Sequence, residues 1–221
     1  MSRVFFNPRL RRAILTLMAL WALALVRAGA APLPEETGSK VVYVIRLTGA
    51  ISPGTAGFLT GAIEKAGQAG AQALVVELDT PGGLAESMRT MVKAIMNAPL
   101  PIIVYVSPSG AQAASAGVMI TLAADVAAMA PGTNIGAAHP VAAGGKDIDG
   151  DMAKKVVNDM VAFVQSIAKQ RGRNQEWAKK AVEESASASA SEAVKLKVVD
   201  LVAESRSDLL QQVDGREIKR G

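Results

Sequence analysis

The groups best placed to do chemistry are the Ser115 hydroxyl and the backbone around Gly82 and Gly83. Residues 113–117 read Ala-Ala-Ser-Ala-Gly, and Pro81, Gly82 and Gly83 form a Pro-Gly-Gly turn about thirty residues upstream. A serine between small side chains approaches a substrate carbonyl without obstruction. A diglycine turn after a buried strand can aim bare backbone N–H groups at the oxygen of that carbonyl. Together they point to acyl transfer, in which a nucleophile works beside an oxyanion site. A blander account also fits: Ser115 caps or packs an Ala-rich helix start, and glycine turns after strands are common.

For these two segments to meet, the elements that carry them must end at one edge. Strands are predicted over residues 41–47, 73–78, 101–106, 126–129 and 194–202. Helices are predicted over 52–69, 84–96, 113–124, 152–170 and 175–184. The strands are short aliphatic runs and the helices carry apolar residues at helical spacing. Strands alternating with helices imply an α/β fold, a mostly parallel sheet with crossover helices. Such sheets gather chemistry at the carboxyl ends of their strands. The Pro-Gly-Gly turn and the serine both follow strands, so one edge can hold both. Residues 134–150 are rich in Gly and Ala with little periodicity. The run SASASAS at 185–191 reads as a loop or a weak helix start.

Composition narrows the options. The chain has 221 residues, of which 50% are hydrophobic and only 4% aromatic, so one sizeable core is built from aliphatic side chains. There is no cysteine and a single histidine, His139, which excludes disulfides, thiolate metal sites and multi-histidine metal sites. No metal or cofactor is expected. The net charge of +4 is matched by Arg3, Arg9, Arg11 and Arg12 alone. No basic stripe with interleaved aromatics remains, so no nucleic-acid partner is expected.

Those four arginines precede an apolar run from Ala13 to Val26 and a small-x-small pattern at Ala28-Gly29-Ala30. This is the layout of a secretory signal peptide. The run is shorter than the roughly 20 residues that span a bilayer, although an uncleaved anchor is the alternative because Arg27 interrupts the cleavage region. Residues 1–30 are thus read as a signal peptide or membrane anchor and 31–40 as a linker. Residues 41–205 form the domain and 206–221 a polar tail. Export puts the domain on the periplasmic or extracytoplasmic face of the membrane.

Three motifs in order, LDTPGG at 78–83, AASAG at 113–117 and MAPGTNIG at 129–136, resemble the NfeD family, membrane-associated serine proteases of the ClpP class. The resemblance covers about residues 40–205. It implies a ClpP/crotonase-like fold and a Ser-Lys catalytic dyad. The nucleophile falls on Ser115, and the oxyanion donors fall on the backbone N–H groups of Gly83 and Ala116, with Pro81 and Gly82 as the supporting turn. Counting back from Gly172-Arg173-Asn174, the family interval sets the base at Lys155. The resemblance also implies hydrophobic peptide segments as substrates, typified by stomatin-like membrane proteins. By analogy with related folds, the protein is expected to be a homo-oligomer. One departure is Lys197, which stands where the family usually has a glycine that suits a left-handed helix end.

Two lysines, Lys154 and Lys155, are adjacent. With an apolar stripe through Met152, Val156, Met160, Phe163 and Ile167 centred on Val156, Lys155 lies on the flank and Lys154 faces solvent. The alternative for Lys155 is a surface ion pair with Asp159. His139 is the rival base in a Ser-His-Asp arrangement. The histidine of ClpP-type peptidases matches Ala138, one residue away, and such an offset turns a side chain to the other face of an extended segment. Nearby acids are Asp147, Asp149 and Asp151.

The leading expectation is an ATP-independent serine endopeptidase. A second is a non-catalytic membrane-associated scaffold that binds a stomatin-like partner. A third, a crotonase-like acyl-CoA enzyme, is disfavoured by export and by the lack of an evident site for the CoA phosphates.

Overall fold

Four aliphatic runs become adjacent parallel strands. In the computed structural model, which describes residues 41–141 and 150–218, these are β1 (Val42–Thr48), β2 (Ala73–Asp79), β3 (Ile102–Val106) and, after a short β4 (Gln112–Ala114), β5 (Val126–Met129). The predicted leader, the linker, Asp147 and Asp149 lie outside the described residues. A two-residue strand, β8 (Leu201–Val202), completes a five-stranded sheet in the order β1-β2-β3-β5-β8, parallel throughout. The register pairs Thr48 with Asp79, Leu78 with Val106, and Val106 with Met129. The carboxyl ends of four strands therefore reach one edge, and the loops that follow β1, β2 and β3 leave the sheet together.

Both sheet faces are buried, as parallel sheets require. On one face Leu74, Val76, Leu78, Ile102 and Val104 belong to the main core. That core is closed by α1 (Pro53–Gln68), α2 (Ala85–Met96), α3 (Ala116–Ala123), α4 (Gly150–Gln170) and α5 (Gln175–Glu183). The stripes are legible in the sequence: Leu59, Ile63 and Ala66 on α1, and Met88, Met91, Val92 and Ile95 on α2. Ser52 and Thr55 form a capping box that fixes where α1 begins.

Alternate residues of the same strands, Ala73, Val75, Ile103 and Tyr105, face the other way. They are covered by α7 (Arg206–Val213) through Leu209, which is wholly buried. Arg206 pairs with the buried Glu77 at 2.7 Å, and Arg46 approaches the other oxygen of the same carboxylate. The Tyr105 hydroxyl donates to the Ala203 carbonyl at 2.7 Å. The segment expected to be a polar tail is thus a structural layer, and the domain runs past residue 205. A half-exposed pattern such as RSDLLQQV reads as polar because only one of its residues must be fully buried.

Three other expectations are corrected. The strand predicted over 194–202 is the end of a short helix, α6 (Ala190–Lys195), then a turn through residues 196–200, and only its last two residues are strand, as β8. The SASASAS run supplies β7 (Ser187–Ser189) as well as the start of α6, with Ala188 and Ala190 buried between exposed serines. Its period of two was a strand signal that low complexity obscured. The Gly- and Ala-rich stretch after residue 133 contains β6 (Asn134–Gly136), which joins β4 and β7 in a second, three-stranded sheet. Among the described residues, no helix is long and apolar enough to cross a membrane.

Candidate active site

Ser115 stands between β4 and α3, not inside the helix as the sequence suggested. Its backbone adopts φ 52° and ψ −114°, a conformation that L-residues rarely adopt and that costs about 1–3 kcal/mol. Two hydrogen bonds hold it there: its N–H donates to the Gly136 carbonyl, and its carbonyl accepts from Val118, each at 3.0 Å. The second sheet thus holds the serine, since Gly136 is the end of β6. The Ser115 side chain makes no capping bond to α3, so the helix-cap account of this residue fails. A strained serine whose hydroxyl is not spent on its own helix remains available to a ligand.

The Pro-Gly-Gly turn lies against it. Thr80 begins the turn and links it to β4: its N–H donates to the Gln112 carbonyl at 2.8 Å, and its carbonyl accepts from Ala114 at 3.0 Å. The buried Thr80 hydroxyl accepts from the Gly82 N–H at 3.0 Å and donates back to the Gly82 carbonyl at 3.3 Å. Gly83 pairs with Ile51 in a parallel bridge, with Ile51 donating to Gly82 and Leu84 donating to Ile51. A Cβ on Gly83 would lie 2.2 Å from the Ile51 oxygen, so only glycine fits there. Among the described residues, neither the Gly83 N–H nor the Ala116 N–H donates to a carbonyl or side chain. Ala116 opens α3, where unpaired N–H groups and the positive end of the helix dipole coincide.

The glycine of the serine motif has a packing role. A Cβ on Gly117 would meet the Thr80 methyl at 2.8 Å and the Ala113 Cβ at 3.3 Å. Thr80 and Gly136 are the positioning residues that sequence reasoning passed over. The signal at Thr80 was its place directly before Pro-Gly-Gly, where a hydroxyl can close the turn.

The far end of α3 is fastened equally firmly. Arg173 donates to the carbonyls of Leu122 and Ala124 at 2.8 Å and to Asp200 at 2.7 Å. Arg171 donates to the Ala123 carbonyl and to Asp125, each at 2.7 Å. Burial pulls the Arg173 guanidinium below its usual pKa, while Asp200 opposes the shift. Two guanidiniums on the last carbonyls complement the negative end of the helix. The Gly172-Arg173-Asn174 segment is therefore a clamp on the helix that presents Ser115.

Ser115, Ala116, Pro81 and Gly83 line one cleft of about 580 Å³. Apart from Ser52, its remaining described walls are aliphatic or thioether side chains, and Leu84 and Val141 are about half exposed. Ala138 faces into this cleft and His139 does not. The His139 Nδ1 instead donates to the Val182 carbonyl on α5 at 2.8 Å. The one-residue offset from Ala138 thus turns the ring out of the cleft.

Lys155 lies on α4 and is exposed, as is Lys154, and neither lines the cleft. The buried stripe of α4 is Met160, Val164, Ile167 and Ala168, and Val156 is only half-buried. At about 100° per residue, Lys155 lies roughly 140° and Lys154 roughly 120° around the helix from Met160. The flank geometry expected for Lys155 was drawn from a stripe centred too close to Val156, and helical position does not separate the two lysines. Asp159 does not pair with Lys155. It binds Arg89 of α2, whose guanidinium also stacks 4.2 Å over the Phe163 ring.

Among the described residues, no cluster of three or more His, Cys, Asp or Glu residues could hold a metal ion. The family model for the NfeD1b N-terminal domain matches residues 41–214. A membrane-bound protease of Pyrococcus horikoshii, PH1510, is 35% identical over 213 residues, covering 95% of this chain and 46% of that protein. The membrane protein NfeD1b of Bacillus subtilis is 34% identical over 131 residues, covering 59% of this chain and 29% of that protein. The chain thus spans less than half the length of these relatives.

Among solved structures, the membrane-bound stomatin-specific protease 1510-N, as a serine-to-alanine mutant, superposes with a TM-score of 0.77 at 36% identity, covering 82% of this chain and 88% of that one. A lysine-to-alanine mutant of 1510-N, in complex with a substrate peptide, matches with the same score and identity over 81% of this chain and 82% of that one. ClpP1 from Listeria monocytogenes, at 20% identity and a TM-score of 0.61 over 75% of this chain and 94% of that one, shares the fold. The α/β architecture is ClpP-like, as the motifs implied.

Proposed function

The chain belongs to the family of NfeD1b N-terminal domains, and from that premise we propose that it is an ATP-independent serine endopeptidase. Ser115 is the nucleophile, Lys155 the general base, and the N–H groups of Gly83 and Ala116 the oxyanion donors. The observation that carries this reading is the state of Ser115: a strained serine with no capping bond, beside two undonated N–H groups in an apolar cleft. The Ser115 oxygen attacks the peptide carbonyl carbon while Lys155 removes its proton. Negative charge gathers on the carbonyl oxygen between the two N–H groups. Lys155 returns the proton to the departing amine, and water then hydrolyses the acyl-enzyme by the same route.

Support for the lysine is the spacing of the two positions mutated in 1510-N, a serine and a lysine about forty residues apart, as Ser115 and Lys155 are. Lys155 stands outside the cleft, so base catalysis requires α4 to bring the ammonium group to within about 3 Å of the serine oxygen. The cleft's apolar walls suit hydrophobic peptide segments. The relative that acts on stomatin supports stomatin-like membrane proteins as the natural class. Membrane association, the extracytoplasmic location and assembly into homo-oligomers belong to the same reading.

Cleavage of an apolar peptide by the wild type, with none by Ser115→Ala, tests the proposal. Equal cleavage by both would overturn it. A second reading draws on one observation: among the described residues, no titratable side chain lines the cleft. A scaffold that binds a stomatin-like segment without turnover needs none. Binding of the peptide without cleavage by the wild type would favour the scaffold.

A further inference from the structure

Lys155, Asp159 and Phe163 follow one another at intervals of four on α4, so they share one stripe of that helix. A carboxylate one turn after a lysine is its natural partner, yet the pair between Lys155 and Asp159 does not form. Arg89 of α2 binds the Asp159 carboxylate instead, and the same guanidinium lies 4.2 Å over the Phe163 ring. Among the described residues, Lys155 has no ion-pair partner. The residue before Arg89 and the residue after Asp159, Met88 and Met160, both line the cleft. The arginine therefore grips α4 beside the cleft, one turn from Lys155.

Resting on the protease reading above, we propose that Arg89 is a positioning residue for the reaction: by holding Asp159, it denies Lys155 the carboxylate that would keep its side chain charged and turned away from Ser115. Three physical arguments carry this. First, a general base must be neutral before it can accept the serine proton, and a neighbouring carboxylate favours the charged ammonium. Second, a lysine paired with the residue one turn later lies along its own helix, whereas Lys155 must leave α4 to reach the cleft. Third, the pair is not what docks α4. Its side chains are 38% and 70% exposed, and an ion pair that open adds little stability. Met160, Val164 and Ile167 bury α4 in the main core independently. Stacking on Phe163 fixes the guanidinium over the stripe, so Asp159 is captured in one definite place.

The test is Arg89→Gln, which removes the charge at similar size and frees Asp159. At low ionic strength it should lower kcat on an apolar peptide by about three- to fivefold, the scale of one exposed ion pair, with KM within about twofold of wild type. Fluorophosphonate labelling of Ser115 should slow by the same factor. In about 1 M salt, where charges are screened beyond about 3 Å, the gap should close. Adding Asp159→Asn to Arg89→Gln should restore the wild-type kcat, and Asp159→Asn alone should not lower it. A simple brace between α2 and α4 behaves differently: either substitution alone lowers kcat, and the double variant does not recover. That pattern, or a folded Arg89→Gln whose kcat equals that of the wild type, overturns the proposal. Should Arg89→Gln not fold, Asp159→Asn alone decides, since a kcat lowered as far as expected for Arg89→Gln overturns it too. A wild type that neither labels nor cleaves overturns the protease reading, and the role of Arg89 with it.

Discussion

A Cβ added to Gly82 would lie 2.5 Å from the Ser115 Cβ and 3.0 Å from its Oγ, so the turn and the serine touch with no space between them. Gly82 also has φ 107°, which a larger residue rarely adopts. Gly82→Ala must therefore push the serine away from the Gly83 and Ala116 N–H groups. The expected result is a loss of roughly a hundredfold in kcat/KM, the cost of about 1 Å of misplacement. Circular dichroism should still report the folded α/β domain, because the core beneath the turn is untouched.

The two candidate bases separate by mutation. Lys155→Ala should lower turnover by roughly a hundredfold to ten-thousandfold, the range of general-base catalysis, while Lys154→Ala leaves it near wild type. His139→Ala should also retain activity, because its ring binds the Val182 carbonyl and lies outside the cleft. Activity lost in His139→Ala and kept in Lys155→Ala would replace the dyad with a triad.

Arg173 connects stability to the site. Its guanidinium covers two carbonyls at the end of α3 and pairs with Asp200 while almost wholly buried. Arg173→Ala should destabilise the domain by about 3–5 kcal/mol, the usual cost of removing one partner of a buried pair. Urea denaturation measures this directly. Fluorophosphonate labelling of the folded fraction should slow as well, since the clamped helix presents Ser115.

Lys197 predicts a gain. It holds φ 57° just past the end of α6, its side chain is exposed, and its backbone receives the Asn174 N–H. The left-handed conformation costs a non-glycine residue about 1–2 kcal/mol, part of which glycine gives back through a freer unfolded chain. Lys197→Gly should therefore raise stability by about 0.5–1 kcal/mol in the same denaturation experiment, with peptide cleavage unchanged.

The parallel sheet, its crossover helices and the meeting of Pro-Gly-Gly with Ser115 were legible because they follow from local signals: aliphatic runs, helical stripes and two turns at strand ends. Helix α3 was predicted three residues too early, because Ala-Ala-Ser has helical propensity. The bonds from Thr80 and Gly136 that force a strand and a strained serine there are long-range. The same holds for β6 and β7, whose pairing joins residues about fifty positions apart. The lysine geometry failed for another reason. A helix with apolar residues over much of its surface has several defensible stripe centres, and only the neighbours α3 and α5 decide which is buried.

The central claim is that Ser115 is an activated nucleophile. Treating the intact chain with a fluorophosphonate and mapping the adduct by peptide mass spectrometry tests it most directly. The account predicts a single stoichiometric adduct on Ser115, lost in Ser115→Ala and slowed in Gly82→Ala. A folded chain that binds apolar peptide yet carries no adduct on Ser115, or carries it on another serine, would contradict it.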